Sequence, residues 1–344
     1  MSRIHLLQVK HGDSFVIECD KNHQHGIIVV DGGPTGCGHI LQDKIQEIGI
    51  PDLMVLTHYD DDHIGGILQL VSSCVDDAVL PGKEIWANCA GFVEVAASKT
   101  TGAKQGIKLS CRLNELSEKL GLVWYDNICE GYERHLPFAN VEVISPTETV
   151  MKMAINKQQE EGGKPLKATR INIEELKVSL EELAKNQSKE PNLENDNELA
   201  NAASISFIIS CDELSILMLG DSYPQNVECY LRNVKGYSEE NPLVVDYVKV
   251  SHHGSRNNTS NELLDIIKCS KYIISTNGGK SRSNHPDRIT IAHILCHPCR
   301  NKGEKVHLYF NYDMNVIKDN GAPFINEEEK KEYNFEIHDK VLAL

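Results

Sequence analysis

The sequence predicts an α/β sandwich, two mixed β-sheets packed together and flanked by helices, formed as a single domain over residues 1–344. Three observations lead there. Short apolar runs of strand length recur along the chain, most of them closed by Gly, Asp, Pro or His. Stretches of helical character separate several of them. The runs fall into two groups, one before residue 151 and one after residue 198, with a polar stretch between.

In the first group, Ile4 to Val9, Ser14 to Glu18 and Gly26 to Val30 read as strands, the last ending at Asp31-Gly32-Gly33-Pro34. His39 to Ile48 reads as a helix. Leu53 to Thr57 is a compact buried strand, and His58 begins the loop after it. Ile64 to Val71 looks helical, Glu84 to Ala87 is a short strand, and Asn140 to Ser145 is a strand closed by Pro146. Residues 151–198 are different in character: Lys, Glu, Gln and Asn dominate, and Gly162, Gly163 and Pro165 break the pattern. Within this stretch Ile173, Leu176, Leu180 and Leu183 recur at spacings of 3, 4 and 3, which predicts one amphipathic helix. The stretch reads as a charged, partly helical insertion within the domain, either a solvated excursion or a lid or protein-partner surface. Strands resume at Ser204 to Ser210 and Leu214 to Leu219, the latter ending at Gly220-Asp221. Val244 to Val250 leads into Ser251-His252-His253-Gly254-Ser255, and Lys271 to Ser275 into Asn277-Gly278-Gly279. His307 to Asn311 and Tyr333 to His338 complete the pattern.

The bulk numbers bound the function. A length of 344 residues is ample for a sizeable core. The 50 acidic against 35 basic residues give −15, which argues against a broad nucleic-acid-coating surface. It leaves a nuclease open, because bound cations reverse the charge locally. No apolar run reaches the roughly 18 residues of a membrane span, and the N-terminus lacks a signal-peptide pattern. The 11 cysteines are an odd number with scattered spacing, as expected of free thiols in a reducing cytoplasm.

The chemistry gathers where the strands end. Asp31, then His58, Asp60, Asp62 and His63, then Asp221, then His252 and His253 all follow apolar runs. Such ends make a poor core but converge side chains at one edge of a sandwich. Imidazole and carboxylate are ligands that divalent zinc or manganese accepts. His58 and Asp60 are one residue apart and point the same way from an extended loop. Asp62 and His63 follow at the start of a helix, and Gly65 and Gly66 remove side chains where that helix packs closely. Four candidates in six residues can hold two adjacent ions if distant residues complete the set. The competing reading makes Asp62 a helix cap, with Asp60 and Asp61 beside the helix dipole. That accounts for the aspartates but not for the histidines or the paired glycines.

The run Thr57-His58-Tyr59-Asp60-Asp61-Asp62-His63-Ile64-Gly65-Gly66 resembles the metal-binding motif of the metallo-β-lactamase superfamily, commonly His-x-His-x-Asp-His. With Asp60 in place of the second His, it is similar to the variant in the C-terminal hydrolase domain of the competence DNA-uptake protein ComEC. His11-Gly12-Asp13-Ser14, Val29 to Gly33, Val143 to Thr147, Asn201 to Ser204, Leu219-Gly220-Asp221, Val250 to Ser255 and Asn284-His285-Pro286 follow in that group's order. The resemblance implies a metallo-β-lactamase-like fold and a metal-dependent hydrolase, with His58 and Asp60 on a first ion and Asp62 and His63 on a second. Asp221 would bridge them, and one of His252 and His253, His253 preferred, would complete the second site. The superfamily often supplies a further first-site His before the bridging Asp. His135 is the only histidine in that interval, and its context does not match. The first site is therefore oxygen-rich, which makes manganese a candidate beside zinc. Asp62 is also the expected catalytic position, and His285 would protonate the leaving group or contact a phosphate. Asp13 and Asp31 read either as orienting groups for ligand histidines or as turn formers. Asn201 and Ser204 either belong to the site or simply begin a strand.

Two other signals are weaker. Cys296-His297-Pro298-Cys299 has metal-ligand spacing but no second pair, and reads as a helix end. Gly278-Gly279-Lys280-Ser281 lacks the first glycine of a phosphate loop. The expected function is hydrolysis of a phosphodiester, in nucleic acid or a nucleotide, through metal-bound hydroxide. The alternatives are an ester, lactone or phosphorylcholine-ester hydrolase, and a non-enzymatic metal-stabilised partner subunit.

Overall fold

In the computed structural model the described residues are 1–89, 101–159, 173–279, 284–320 and 324–344. Residues 160–172 of the polar stretch, and Lys280 and Ser281 of the glycine-rich run, lie outside them. The first half runs β1 (Arg3–Leu6), β2 (Phe15–Lys21), β3 (Gln24–Val30), α1 (Gly38–Ile48), β4 (Leu53–Val55), α2 (Asp61–Asp77), β5 (Glu84–Trp86), α3 (Thr101–Leu120) and β6 (Val123–Tyr125). Then come β7 (Glu133–Leu136), β8 (Ala139–Ser145), α4 (Glu148–Gln159), α5 (Leu180–Leu183), α6 (Asp196–Ala202), β9 (Ser206–Ser210), β10 (Ser215–Met218) and α7 (Pro224–Asn233). The chain continues with β11 (Leu243–Val244), β12 (Tyr247–Lys249), α8 (Asn261–Leu264), β13 (Ile267–Lys268), β14 (Lys271–Ile274), α9 (Arg288–Cys296), β15 (Val306–Phe310) and β16 (Phe335–His338).

Two mixed sheets carry the fold. The first has six strands in the order β1-β2-β3-β4-β5-β6, antiparallel through β3 and parallel from there. The second has eight strands in the order β16-β15-β14-β12-β10-β9-β8-β7, parallel from β10 to β16 and antiparallel across β7 to β10. Strand alternation sorts the side chains into layers. Ile28 and Val30 point between the sheets, with Phe15, Trp86, Val143, Phe207 and Met218. Ile27 and Val29 point the other way, under Leu41, Ile64, Ile67, Val71 and Leu113 of α1, α2 and α3. On the far side Leu217, Val248, Ile274 and Leu308 pack under Leu231, Leu264, Ile291 and Leu295 of α7, α8 and α9. The result is the predicted sandwich of two mixed sheets between two helical layers. No helix of the described residues is long and apolar enough to cross a membrane.

The polar stretch differs from expectation in one respect. The segment predicted as one amphipathic helix is a 3-10 turn, Ile173–Lys177, followed by the separate α5. Ser179 breaks it: its hydroxyl accepts the Glu182 amide at 3.2 Å and starts a new helix in extended backbone. Leu180 and Leu183 are still buried, but in the core of the second half, beside α9. Arg288 fastens the same segment by donating to the carbonyls of Glu175 (3.0 Å) and Val178 (2.9 Å) and by pairing with Glu329. On the other side α4 and α6 bury Val150, Ala154, Leu199 and Ala202 together. Most apolar side chains of the described part of the stretch pack on this chain, with Met153 exposed.

Candidate metal centre

The loop after β4 and the first turn of α2 carry His58, Asp60, Asp62 and His63. Helix α2 begins earlier than predicted, at Asp61, so Asp62 and His63 lie in its first turn. Asp60 occupies the capping position, yet no side chain caps the helix. Asp61 accepts instead from Thr35 and Gln105, each at 2.6 Å. The turn is pinned by the backbone of the loop after β3. The Gly32 amide donates to the His63 carbonyl (2.9 Å), and the Gly66 amide to the Gly33 carbonyl (2.8 Å). A β-carbon on Gly66 would fall 1.9 Å from the Gly32 carbonyl oxygen, and one on Gly65 2.1 Å from the Thr35 amide nitrogen. The paired glycines therefore press the helix onto the loop of residues 32–35, and that approach aims His63 inward.

Asp31 orients this group. It sits in left-handed backbone, φ 58°. Its carboxylate accepts the Thr57 amide, the Thr57 hydroxyl and His63 Nδ1, each at 2.8 Å. That leaves His63 Nε2 facing the centre. From the second half, Asp221 follows β10, with its amide donating to the Ser204 hydroxyl (3.0 Å) and its carbonyl receiving Asn258 Nδ2 (3.0 Å). His252 and His253 are both left-handed, φ 48° and 55°. Two successive left-handed residues turn the imidazoles to different faces of Asp221. His253 Nδ1 donates to the Ser275 carbonyl at 2.8 Å, which directs Nε2 inward.

The candidate ligands form two clusters about the two oxygens of Asp221. Asp221 Oδ2 lies 3.9 Å from His58 Nε2 and 3.6 Å from His252 Nε2, and His58 Nε2 lies 3.8 Å from Asp60 Oδ2. Asp221 Oδ1 lies 3.4 Å from His63 Nε2. Asp62 Oδ2 lies 4.0 Å from His63 Nε2 and 3.4 Å from His253 Nε2. The structure thus brings together all seven residues expected as ligands, and places both members of the histidine pair beside their carboxylates where the sequence argued for one. His58 Nε2, His63 Nε2, His253 Nε2 and Asp221 Oδ1 are buried and have no hydrogen-bond partner among the described residues. Buried polar atoms without partners are costly, so four of them converging on one space fit a cation bound there. Asn201 fits as well. Its Nδ2 lies 3.3 Å from His252 Nδ1, while its buried Oδ1 has no partner among the described residues. A half-turn of the amide sets Oδ1 against His252 Nδ1–H and frees Nε2.

The electrostatics have the same shape. Burial and the neighbouring His63 push His58 down to about 3, and burial with His285 and His253 beside it takes His252 to about 4. Burial opposes charge on His253 too, but Asp13 and Asp62 raise it to about 10. His63 is likewise held protonated by Asp221, Asp31 and Asp62 against its burial. Asp62 and Asp221, although buried, are held well below the usual carboxylate range by these imidazoles. Asp60, with a third of its side chain exposed, is pushed up to about 7 by desolvation and by Asp62. Without a metal, two imidazolium protons offset the carboxylates, and a pair of dications would take their place.

His285 stands at the rim, its ring 5.4 Å from that of His252, with Nδ1 3.2 Å from Asp287 Oδ2. Sequence reasoning passed over Lys249. It is fully buried, pairs with Asp13, donates to the Gly220 carbonyl at 3.1 Å, and lies 4.0 Å from Asp221 Oδ1. A lysine between Val248 and Val250 in an apolar strand was the available signal. Asp13, paired there, also lies 3.3 Å from His253 Nδ1. The Cys-x-x-Cys run begins at the last residue of α9, a helix end as expected. Cys296 packs on the core, and the exposed Cys299 lies 3.6 Å from Asp265.

No protein-family model matches the sequence, and no curated protein matches it. Solved structures do match along the chain. A protein from Parabacteroides distasonis described as a metal-dependent hydrolase is 11% identical, with a TM-score of 0.36, covering 98% of this chain and 94% of that one. A diphosphatase of the PhnP family is 10% identical, with a TM-score of 0.38, covering 100% and 97%. CmlA, a diiron β-hydroxylase from Streptomyces venezuelae, is 11% identical, with a TM-score of 0.40, covering 99% of this chain and 53% of that one.

Proposed function

We propose that this chain is a two-metal hydrolase of phosphodiesters, with zinc or manganese as its ions and a nucleic acid or nucleotide-like ester as its substrate. The observation that carries the reading is the set of buried ligand atoms at Asp221 with no hydrogen-bond partner among the described residues: His58 Nε2, His63 Nε2, His253 Nε2 and Asp221 Oδ1. His58, Asp60, His252 and Asp221 Oδ2 would hold one ion, and Asp62, His63, His253 and Asp221 Oδ1 the other. Such a pair supplies a water acidic enough to give hydroxide near neutral pH and positive charge beside the phosphate oxygens. The protein's own groups do the rest. Asp31 and the Ser275 carbonyl keep two imidazoles in the tautomer that leaves Nε2 free. His285, steadied by Asp287, hands a proton to the departing alkoxide. The three carboxylates of the ligand set favour manganese as much as zinc.

Gently purified protein is expected to carry two equivalents of metal and to cleave DNA, RNA or a chromogenic phosphodiester with added manganese. Asp62→Ala should lower that activity by about 100-fold or more. Full metal loading with no cleavage of any phosphodiester would overturn the substrate reading. His285→Ala should keep both metals while turnover falls by roughly 10²–10⁴-fold. A second reading has its own observation. A narrow recess beside His58, about 10 Å³ and so no larger than a water-sized group, is lined by Leu56, Tyr59, Met151 and Ile155, an apolar surface against which the methyl end of a small ester would rest. Faster turnover of esters than of phosphodiesters in the same panel would favour it.

A further inference from the structure

We propose a second metal site, separate from the first, on the outer edge of the larger sheet, where His307, Glu336 and His338 take a divalent transition ion such as zinc, nickel or copper. Strands β15 and β16 are parallel neighbours, and β16 is the last strand of its sheet. Their register sets His307 opposite Glu336 and Tyr309 opposite His338. Side chains two residues apart on a strand share a face, so all four point the same way. Two ligands at i and i+2 on one strand and a third across the ladder is an arrangement that pleating alone pre-organises.

The geometry is tight. His307 Nδ1 lies 2.9 Å from His338 Nε2 and 4.0 Å from Glu336 Oε2, and one donor atom from each of the three residues lies within 4.8 Å of the others. The His338 ring stacks on Tyr309, centroids 4.6 Å apart and planes 15° apart, and on His307 at 5.2 Å, which holds it in place. Glu336 Oε2 also receives Lys305 at 3.2 Å, and a carboxylate oxygen has a second lone pair for the ion. His307 is 28% and Glu336 48% exposed, so further positions on the ion open to water. Two imidazoles and a carboxylate select zinc, nickel or copper over magnesium or calcium.

The test uses the full chain. Zinc titrated against a chromophoric chelator should show one equivalent more in the wild type than in His338→Ala, or an affinity for that equivalent lowered at least about tenfold. His338→Gln, which keeps most of the stacking bulk, should behave like the alanine variant. Copper(II) added as one further equivalent to protein already carrying two equivalents of metal should show electron-paramagnetic coupling to two imidazole nitrogens, and to one in His307→Ala. Hydrolysis by His338→Ala should match the wild type, so this site and the hydrolytic centre stand or fall independently. Equal metal content in the wild type and both His338 variants, or a copper spectrum indifferent to His307, would overturn the proposal.

Discussion

Asp31 shows how much depends on one side chain. It holds an uncommon backbone conformation and receives three hydrogen bonds, two from Thr57 and one from His63. Under the proposed two-metal reading, Asp31→Ala is expected to weaken the second ion by about 10–100-fold without touching it, measured by chelator competition. Asp287 offers a test of stability. Burial disfavours its charge, but His285 and Arg256 outweigh that and hold its carboxyl below the ordinary value. A depressed carboxyl stabilises the fold above its unfolded pKa of about 3.9, and that contribution disappears as pH falls through the folded value. Asp287→Asn should therefore cost about 1–3 kcal/mol at pH 7, with the difference closing below about pH 4, read by urea denaturation across pH. The candidate ligand types were legible because histidine and aspartate stand out at the ends of apolar runs. The Lys249–Asp13 pair was not, since the two are 236 residues apart and nothing local links them. Nor was the placement of both His252 and His253 beside Asp221 and Asp62, which rests on two left-handed residues in succession.

At the scale of elements, the contact between α2 and the loop after β3 sets the precision of the centre. Gly66→Ala would drive a methyl into the Gly32 carbonyl oxygen. A loss of about 3 kcal/mol or more is expected by chemical denaturation, and lower metal content with it. Strands were easy to read because short buried apolar runs such as Ile27 to Val30 and Leu53 to Val55, bounded by polar or turn residues, have few alternatives. Helix α3 was missed: its apolar residues Leu109, Leu113 and Leu116 are diluted by Lys, Gln, Ser and Glu on the exposed face. The helix expected over 173–183 kept its buried leucines but lost its continuity. Spacing reports which side chains share a face, whereas Ser179 decides where a turn restarts.

For the whole molecule, the segment around α5 decides whether the polar stretch is an ornament or a brace. Leu180 is fully buried in the second half, far in sequence from either tryptophan, both of which belong to the first sheet. Leu180→Ala should cost about 2–5 kcal/mol. If the segment is a brace, the shift will appear equally in tryptophan fluorescence and in far-ultraviolet circular dichroism; a fluorescence midpoint that stays put would mark a locally unfolding excursion. The layered architecture was legible from two groups of strands around a polar stretch. Strand order was not, because the parallel pairings of β12, β14, β15 and β16 depend on crossovers that no local pattern encodes.

The first sheet is finished by residues from the other end of the numbering. Ile4 donates to the Leu344 carbonyl and receives the Leu344 amide, and Leu6 donates to the Leu342 carbonyl, at 2.9–3.0 Å. This places a clock inside the fold. During synthesis β1 emerges ahead of every other strand of the fold, yet its outer edge stays bare until more than 330 further residues have followed. Over that interval an unpaired strand edge is open to any passing chain. The exposed Arg3 at the head of β1, beside a short strand of four residues, is the kind of guard such a wait calls for.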